Sequence, residues 1–461
     1  MPLIKSISGI RGTIGGKIGE NLTPIDTVKF ASAYGTWLKR KLNKEKIKVV
    51  LGRDARISGQ MISELVSSTL QGVGIDVVDL GLSTTPTVEI MVPYLQADGG
   101  IILTASHNPK QWNALKLLNA KGEFISDKEG KELLNIADAE DFDFVEVDYL
   151  GSYKKEEKAI EHHINKILEL PLVNVDLIKK AGFKVVVDAV NSTGGISVLP
   201  LLEKLGVEVI EMYCTPNGHF PHNPEPLEVN LGEIMKRVPK EQADLGIVVD
   251  PDVDRLAFIC EDGTMFGEEY TLVAVADYVL SKTPSATVSN LSSSRALRDI
   301  SEKYNQEYHA SAVGEVNVVT KMKDINARIG GEGNGGIIYP ELHYGRDSLV
   351  GIALFLSYLA ERKITIKQLR NTYPSYFMGK KKIDLSPEIN TDVILQKLTE
   401  KYKNEDIKTY DGLKIDFSDN WVHLRKSNTE PIIRIYTEAP TQQEADQLAD
   451  RFIEEIKQVS D

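Results

Sequence analysis

Three successive stretches of this chain, each on the order of 100 residues, repeat one alternation of strand and helix, and a repeat of that kind restricts the fold to a series of related α/β units. In the first stretch, Thr23-Pro24 supplies an N-cap and a first-turn proline ahead of Ile25, Val28, Ala31 and Leu38, which recur on one side of a helix. Residues 46–51, 75–80 and 100–103 read as strands, and a second helix runs over 58–70. The polar segment 154–167 reads as a linker helix. The second stretch holds strands at 184–188, 207–212 and 245–250 around a helix at 196–205. The third holds strands at 256–260, 286–290 and within 328–339, with helices at 268–280 and 296–304. After the separating stretches 365–374 and Gly379-Lys-Lys-Lys, the end of the chain differs. Strands at 413–417, 421–424 and 432–437 precede one helix at 442–459, an α+β order. The expected divisions are 1–152, 153–255, 256–375 and 376–461.

Composition sets limits on partners. The 461 residues carry a net charge of −13, which removes the diffuse attraction that a nucleic acid or an anionic membrane surface requires. A small phosphorylated ligand stays possible in a locally basic cleft. The basic run 39–48 reads as a solvated helix end and loop. Two distant cysteines, Cys214 and Cys260, form neither a metal spacing nor a disulfide framework and fit a reducing compartment. The apolar run 349–360 is short of the ~20 residues of a membrane span and reads as a buried helix. The N-terminal residues show no secretory pattern. The expectation is a cytoplasmic protein without nucleic-acid or membrane partners.

Four polar stretches follow or join strands, where α/β proteins place ligands. Thr104-Ala-Ser-His-Asn-Pro109 follows the strand 100–103. Ser106 there is a hydroxyl that could reach a bound phosphate, with His107 as a hydrogen-bonding neighbour; an ordinary Ser/Asn/Pro turn is the other reading. Asp250-Pro-Asp-Val-Asp-Arg255 sets carboxylates at i, i+2 and i+4, which can converge on a hard cation such as Mg2+. A calcium helix–loop–helix site would need a glycine sixth and a glutamate twelfth; Arg255 and Glu261 occupy places six and twelve, with no glycine turn. Gly331-Glu-Gly-Asn-Gly-Gly336 permits close ligand approach, and Glu332 and Asn334 could bind sugar hydroxyls; a tight hairpin is the alternative. Arg425-Lys-Ser-Asn-Thr-Glu-Pro431, with Arg434, offers cations, hydroxyls and an amide suited to a phosphate monoester, against a plain surface turn.

In this order, and over essentially the whole chain, these stretches resemble the α-D-phosphohexomutase superfamily. Ser8-Gly-Ile-Arg-Gly12 and Gly52-Arg-Asp-Ala-Arg-Ile-Ser-Gly59 match further signatures of it. The resemblance implies three related α/β mixed-sheet domains plus a C-terminal α+β domain around a central cleft. It implies that Ser106 is phosphorylated in the active enzyme, with Mg2+ held by Asp250, Asp252, Asp254 and a phosphoserine oxygen. Arg11 and Lys116 match positions near the reacting hydroxyl. Arg255, Glu332, Asn334, Arg425, Ser427, Asn428, Thr429 and Arg434 match substrate-binding positions. The implied partner is a phosphosugar, with a hexose 1,6-bisphosphate as intermediate and activator; monomer and homodimer both stay open. Many bacterial members carry Ser-Gly-His in the sugar loop where this chain has Asn334-Gly335-Gly336, and Asn-Gly where it has Asn113-Ala114. A helper histidine at 336 is therefore missing. Lys116 is the first choice of general base, on condition that Arg11 and burial lower its pKa; His107 is the second. His343 reads as a packing or surface histidine. The Asn-Gly-Gly variant favours phosphoglucosamine mutase over phosphomannomutase/phosphoglucomutase. The rivals from other classes are a phosphatase on a related loop plan and a non-catalytic sugar-phosphate sensor.

Overall fold

The structure, a computed structural model, describes residues 3–6, 9–385, 390–426 and 432–460. The chain divides into two compact units: residues 1–279 with 334–370, and residues 280–333 with 371–461.

The first unit holds two mixed sheets. In chain order the first comprises β1 (Ile4–Ser6), β2 (Gly9–Thr13), β3 (Ile47–Arg53), β4 (Ile75–Leu82), β5 (Gly99–Leu103), β6 (Trp112–Asn119) and β7 (Tyr153–Lys155), in the spatial order β1-β2-β6-β5-β3-β4-β7. Strands β5, β3, β4 and β7 run parallel, and β6 turns antiparallel beside β5. The helix Pro24–Leu42 opens with a full capping box, Thr23 and Asp26 satisfying each other's backbone N–H groups. It buries Phe30, Ala31, Tyr34, Trp37 and Leu38 against β3 and β5. Ile25, expected on that apolar side, is exposed, because the buried face is carried by 30, 31, 34, 37 and 38 instead.

The second sheet comprises β8 (Lys184–Asp188), β9 (Glu208–Met212), β10 (Leu245–Val249) and β11 (Leu256–Cys260), in the order β11-β10-β8-β9. Its β10 and β11 pair antiparallel, so Asp250–Arg255 is the tip of a hairpin. The division expected at 255/256 falls inside that hairpin. The buried helix expected at 349–360 is Ser348–Arg362, whose Phe355 stacks on Phe258 at 3.9 Å between ring centroids.

In the second unit, β12 (Thr287–Asn290), β13 (Tyr308–Ser311) and β14 (Ile329–Glu332) pair in parallel in the order β13-β12-β14. The next strand, β15 (Gly336–Ile338), belongs to the first unit. The C-terminal sheet is antiparallel throughout: β16 (Phe377–Asp384), β17 (Asp406–Lys408), β18 (Leu413–Asp416), β19 (Trp421–Lys426) and β20 (Ile432–Ala439), in the order β16-β20-β19-β18-β17. Helices Thr391–Lys401 and Gln442–Ser460 share its apolar core through Ile394, Leu398 and Phe452.

Two sequence expectations are corrected. Residues 154–155 belong to β7 and the helix begins only at Ala159. The Gly379-Lys-Lys-Lys stretch is part of β16, not a separator. Both strands lie at sheet edges, where one side meets solvent and charged residues are tolerated.

Candidate active site

Strand ends of the first unit deliver the Ser106 turn and the Asp250–Arg255 hairpin to each other. Ser106 follows β5 with φ 49°, a left-handed conformation that non-glycine residues adopt rarely. Its N–H donates to Thr104 Oγ1 at 2.9 Å, and Thr104 Oγ1 donates to Asp54 Oδ2 at 2.6 Å. Arg56, 1% exposed, donates from Nε to the same Asp54 oxygen and from its two Nη atoms to the carbonyls of Ser106, Asn108, Pro109 and Trp112. The turn is thus wrapped around a buried guanidinium. Neither Arg56 nor Asp54 was singled out in the sequence beyond the signature that contains them, since a partner some 50 residues away leaves no local pattern.

All three aspartates are buried, and one carboxylate oxygen from each lies within 4.8 Å of the others. Asp250 Oδ1 accepts the N–H groups of Asp254 and Arg255 at 3.1 Å, and Asp250 Oδ2 accepts Ser106 Oγ at 2.7 Å. Asp252 Oδ2 accepts Thr85 Oγ1 at 2.6 Å and Lys116 Nζ at 2.8 Å. Asp254 Oδ2 accepts Arg346 Nη2 at 2.7 Å. The remaining oxygens, Asp252 Oδ1 and Asp254 Oδ1, are buried with no hydrogen-bond partner among the described residues. Orphaned carboxylate oxygens are costly in a protein interior, and two of them beside a third carboxylate suit a hard divalent cation.

The electrostatics follow from this crowding. Burial, then the charges of Asp254 and Asp252, push Asp250 well above the usual carboxylate range. For Asp252 burial acts upward too, but Lys116 outweighs it and holds the group below that range. Burial acts downward on Lys116, yet Asp252 and Asp254 prevail and its pKa is raised, contrary to the lowering expected from Arg11 and burial. His107 is driven to about 2 by burial, then by Arg255 and Arg11, so its imidazole is neutral. Its Nδ1 lies 3.4 Å from Ser106 Oγ. Arg11 donates to Asn108 Oδ1 at 3.1 Å, and Arg255 donates to Glu225 Oε1 at 3.2 Å. Ser106, His107, Arg11, Lys116, Arg255 and the three aspartates are therefore gathered in one place. Thr85 and Arg346 join them without having been anticipated. His343 packs beside Glu89 and Asp347, as a packing histidine does.

Asn334 lies in the same unit, its Oδ1 accepting the Gly336 N–H at 3.3 Å. Gly335 has φ 83°, and a Cβ there would stand 2.2 Å from the Leu256 carbonyl oxygen, so only glycine fits this turn.

The second unit carries Glu332, Arg425 and Arg434. Glu332, 5% exposed, accepts Asn290 Nδ2 at 2.8 Å and the Gly314 N–H at 3.1 Å. Arg425 and Arg434 lie on strands rather than in a loop, directly opposite each other across β19 and β20, and Lys382 of β16 faces Arg434 from the other side. Like charges at opposed positions share a sheet face at a cost, which a bound anion would remove. Asp411 offsets part of it through Arg425 Nε at 3.1 Å. Ser427, Asn428 and Thr429 lie outside the described residues.

An α/β protein with a serine hydroxyl set against a buried carboxylate triad has the outline of a metal-assisted phosphotransferase. Residues 4–144, 161–263, 267–376 and 380–455 match, in turn, the alpha/beta/alpha domains I, II and III and the C-terminal domain of phosphoglucomutase/phosphomannomutase. A protein of Thermococcus kodakarensis named phosphoglucomutase/phosphomannomutase is 36% identical over 94% of this chain and 95% of its own length. A phosphoglucosamine/phosphogalactosamine mutase of Sulfurisphaera tokodaii is 33% identical over 98% and 97%. A solved structure of a family protein from Burkholderia thailandensis superimposes with a TM-score of 0.85 at 26% identity, over 99% of this chain and 98% of that one. The chain belongs to the phosphoglucomutase/phosphomannomutase family, and it is an enzyme of the phosphohexomutase class, an isomerase that works by phosphoryl transfer. Among the described residues no helix is long and apolar enough to cross a membrane.

Proposed function

We propose that this enzyme is a phosphoglucosamine mutase, interconverting glucosamine 6-phosphate and glucosamine 1-phosphate through phosphorylated Ser106 and a 1,6-bisphosphate. The observation that carries the chemistry is Ser106 Oγ at 2.7 Å from Asp250, inside the aspartate triad. For the amino sugar, support comes from the Sulfurisphaera relative's name, at 33% identity over nearly the full length, and from the Asn334-Gly335-Gly336 turn.

Asp250, Asp252 and Asp254, with a phosphoserine oxygen, would hold Mg2+, whose charge offsets that developing on the transferring phosphoryl oxygens. In the first half-reaction the bond from phosphorus to Ser106 Oγ breaks and a bond to the sugar hydroxyl forms. The hydroxyl proton passes to a group of the protein; the neutral His107, with Nδ1 3.4 Å from Ser106 Oγ, is the candidate to accept it, since Asp252 and Asp254 keep Lys116 protonated. The bisphosphate turns over, and its other phosphoryl group returns to Ser106. Arg425 and Arg434, with Ser427, Asn428 and Thr429, hold the phosphate that is not reacting, and Glu332 and Asn334 bind sugar hydroxyls. Arg11 and Arg255 flank the serine.

A second reading, phosphoglucomutase/phosphomannomutase, is favoured by the Thermococcus relative at 36% identity. Phosphorus NMR separates the two. Protein loaded with Mg2+ is given glucosamine 6-phosphate, mannose 1-phosphate and glucose 1-phosphate in parallel, each with a trace of its 1,6-bisphosphate. The highest kcat/KM is expected on the glucosamine phosphate; a dominant rate on mannose or glucose phosphate overturns the substrate. Ser106→Ala is expected to abolish turnover, and substantial activity in that variant removes the serine as nucleophile.

A further inference from the structure

Position 336 is glycine, and its neighbours show what occupies the freed space. A Cβ built on Gly336 would stand 2.3 Å from Arg346 Cδ and 3.0 Å from Arg346 Cγ. Gly336 has no left-handed backbone, so the main chain would accept another residue there; the stem of Arg346 is what excludes it. Having crossed over Gly336, the Arg346 guanidinium reaches Asp254 Oδ2 at 2.7 Å with its side chain only 10% exposed. It engages Asp254 Oδ2, while Oδ1 of the same carboxylate stays without a hydrogen-bond partner among the described residues. Lys116 Nζ lies 3.6 Å from the same Asp254 oxygen, so Arg346 sets its charge next to that lysine. Nothing in the composition of the Asp250–Arg255 hairpin hints at this partner, which lies 92 residues away.

We propose that Gly336 and Arg346 act as a pair: the glycine clears a path, and Arg346 is a positioning residue that orients Asp254 through its Oδ2 and sets a permanent positive charge beside Lys116. A guanidinium does not titrate in the working range, so this place carries charge at every pH the enzyme meets. The phosphoryl group in transfer spreads negative charge over its oxygens, and a preorganised cation nearby favours that state over the ground state. The proposal rests on the phosphoserine reading for its kinetic consequence, but not for its effect on the triad.

The test uses full-length Arg346→Met, Gly336→Ala and the double variant, with kcat, KM and Mg2+ affinity by calorimetry. Arg346→Met is expected to lower kcat about 100-fold while KM moves only a few-fold. The same change is expected to tighten Mg2+ binding, because a fixed positive charge that repels the metal has gone from beside the triad. A purely structural ion pair would instead lose metal affinity and activity together, and that result overturns the proposal. Gly336→Ala is expected to reproduce part of the fall by displacing Arg346, and to add nothing in the Arg346→Met background. Additive losses, or wild-type kcat in Arg346→Met, also overturn it. Should Arg346→Met fail to fold, Arg346→Lys keeps the charge without the planar fork; an intermediate kcat with nearly unchanged Mg2+ affinity supports the proposal, and a wild-type kcat overturns it. Calorimetry repeated in Ser106→Ala reads the effect on the triad without turnover. Activity in Ser106→Ala would thus sink the phosphoserine reading and leave the calorimetric result standing.

Discussion

Asp250 shows most directly what the hairpin tip costs and what relieves it. Its carboxyl is raised by burial and by two neighbouring carboxylates, while its Oδ1 is engaged by two backbone N–H groups that an asparagine could also satisfy. Asp250→Asn should therefore melt no lower than the parent in the presence of EDTA. The parent should gain stability with Mg2+, by about 2.7 kcal/mol at a hundred times the dissociation constant, and the variant should lose most of that gain. Thermal melts with and without Mg2+ check both halves, and a strong Mg2+ response in the variant would contradict a role in the triad. Residues at this scale were legible where they were contiguous. The spacing of Asp250, Asp252 and Asp254 and the turn around Ser106 announce themselves in the sequence. Thr85 and Arg346 do not, since each reaches the cluster from a distant part of the chain and neither carries a pattern of its own, and Arg56 is legible only as a member of the Gly52–Gly59 signature.

At the scale of elements, the helix Ser348–Arg362 is held at its start by Asp347, whose Oδ1 accepts the N–H groups of Leu349 and Val350. Its Oδ2 meets His163 Nε2 at 2.8 Å and His343 Nε2 at 3.3 Å. Burial pushes the Asp347 carboxyl upward, but His163 and His343 outweigh it and hold it below the usual range. A depressed carboxyl contributes stability above its unfolded pKa and loses it as pH falls through the folded value. Asp347→Asn keeps the cap but should lose that contribution, so the gap between parent and variant in urea midpoint should be wide at about pH 6 and narrow toward about pH 3. A gap independent of pH would argue against it. Elements with a buried face were legible, because β8, β10, β11 and the helix Ser348–Arg362 carry uninterrupted apolar runs. The edge strands β7 and β16 were not, because their pattern is supplied by the neighbouring strand and their own side chains face water.

Over the whole molecule, two compact units in one chain should not unfold in a single step. Trp421 reports on the second unit, and Trp37 and Trp112 on the first. In the second unit Trp421 Nε1 and the Arg295 N–H donate to the fully buried Glu438, and the Arg295 side chain lies beside it at 3.6 Å. Arg295→Met should lower the transition seen by Trp421 by about 1–3 kcal/mol, because the guanidinium's hydrogen bonds to the carbonyls of Phe417, Ser418 and Asn420 are lost. The transition seen by the other two tryptophans should stay in place; a common shift would mean that the units unfold together. The domain plan was legible from the repeat of strand and helix, whereas the interleaving of the units was not, since alternation along the chain says nothing of which segment returns to which core. That interleaving bears on how the protein is made. Residues 334–370 complete a unit whose other parts end at Val279, with 54 residues of the second unit intervening. A ribosome delivers Lys116 and the three aspartates long before it delivers Arg346, so the nascent chain carries an acidic cluster short of one of its two partner cations until that arginine emerges, and the early intermediate has reason to capture a divalent cation while synthesis is still under way.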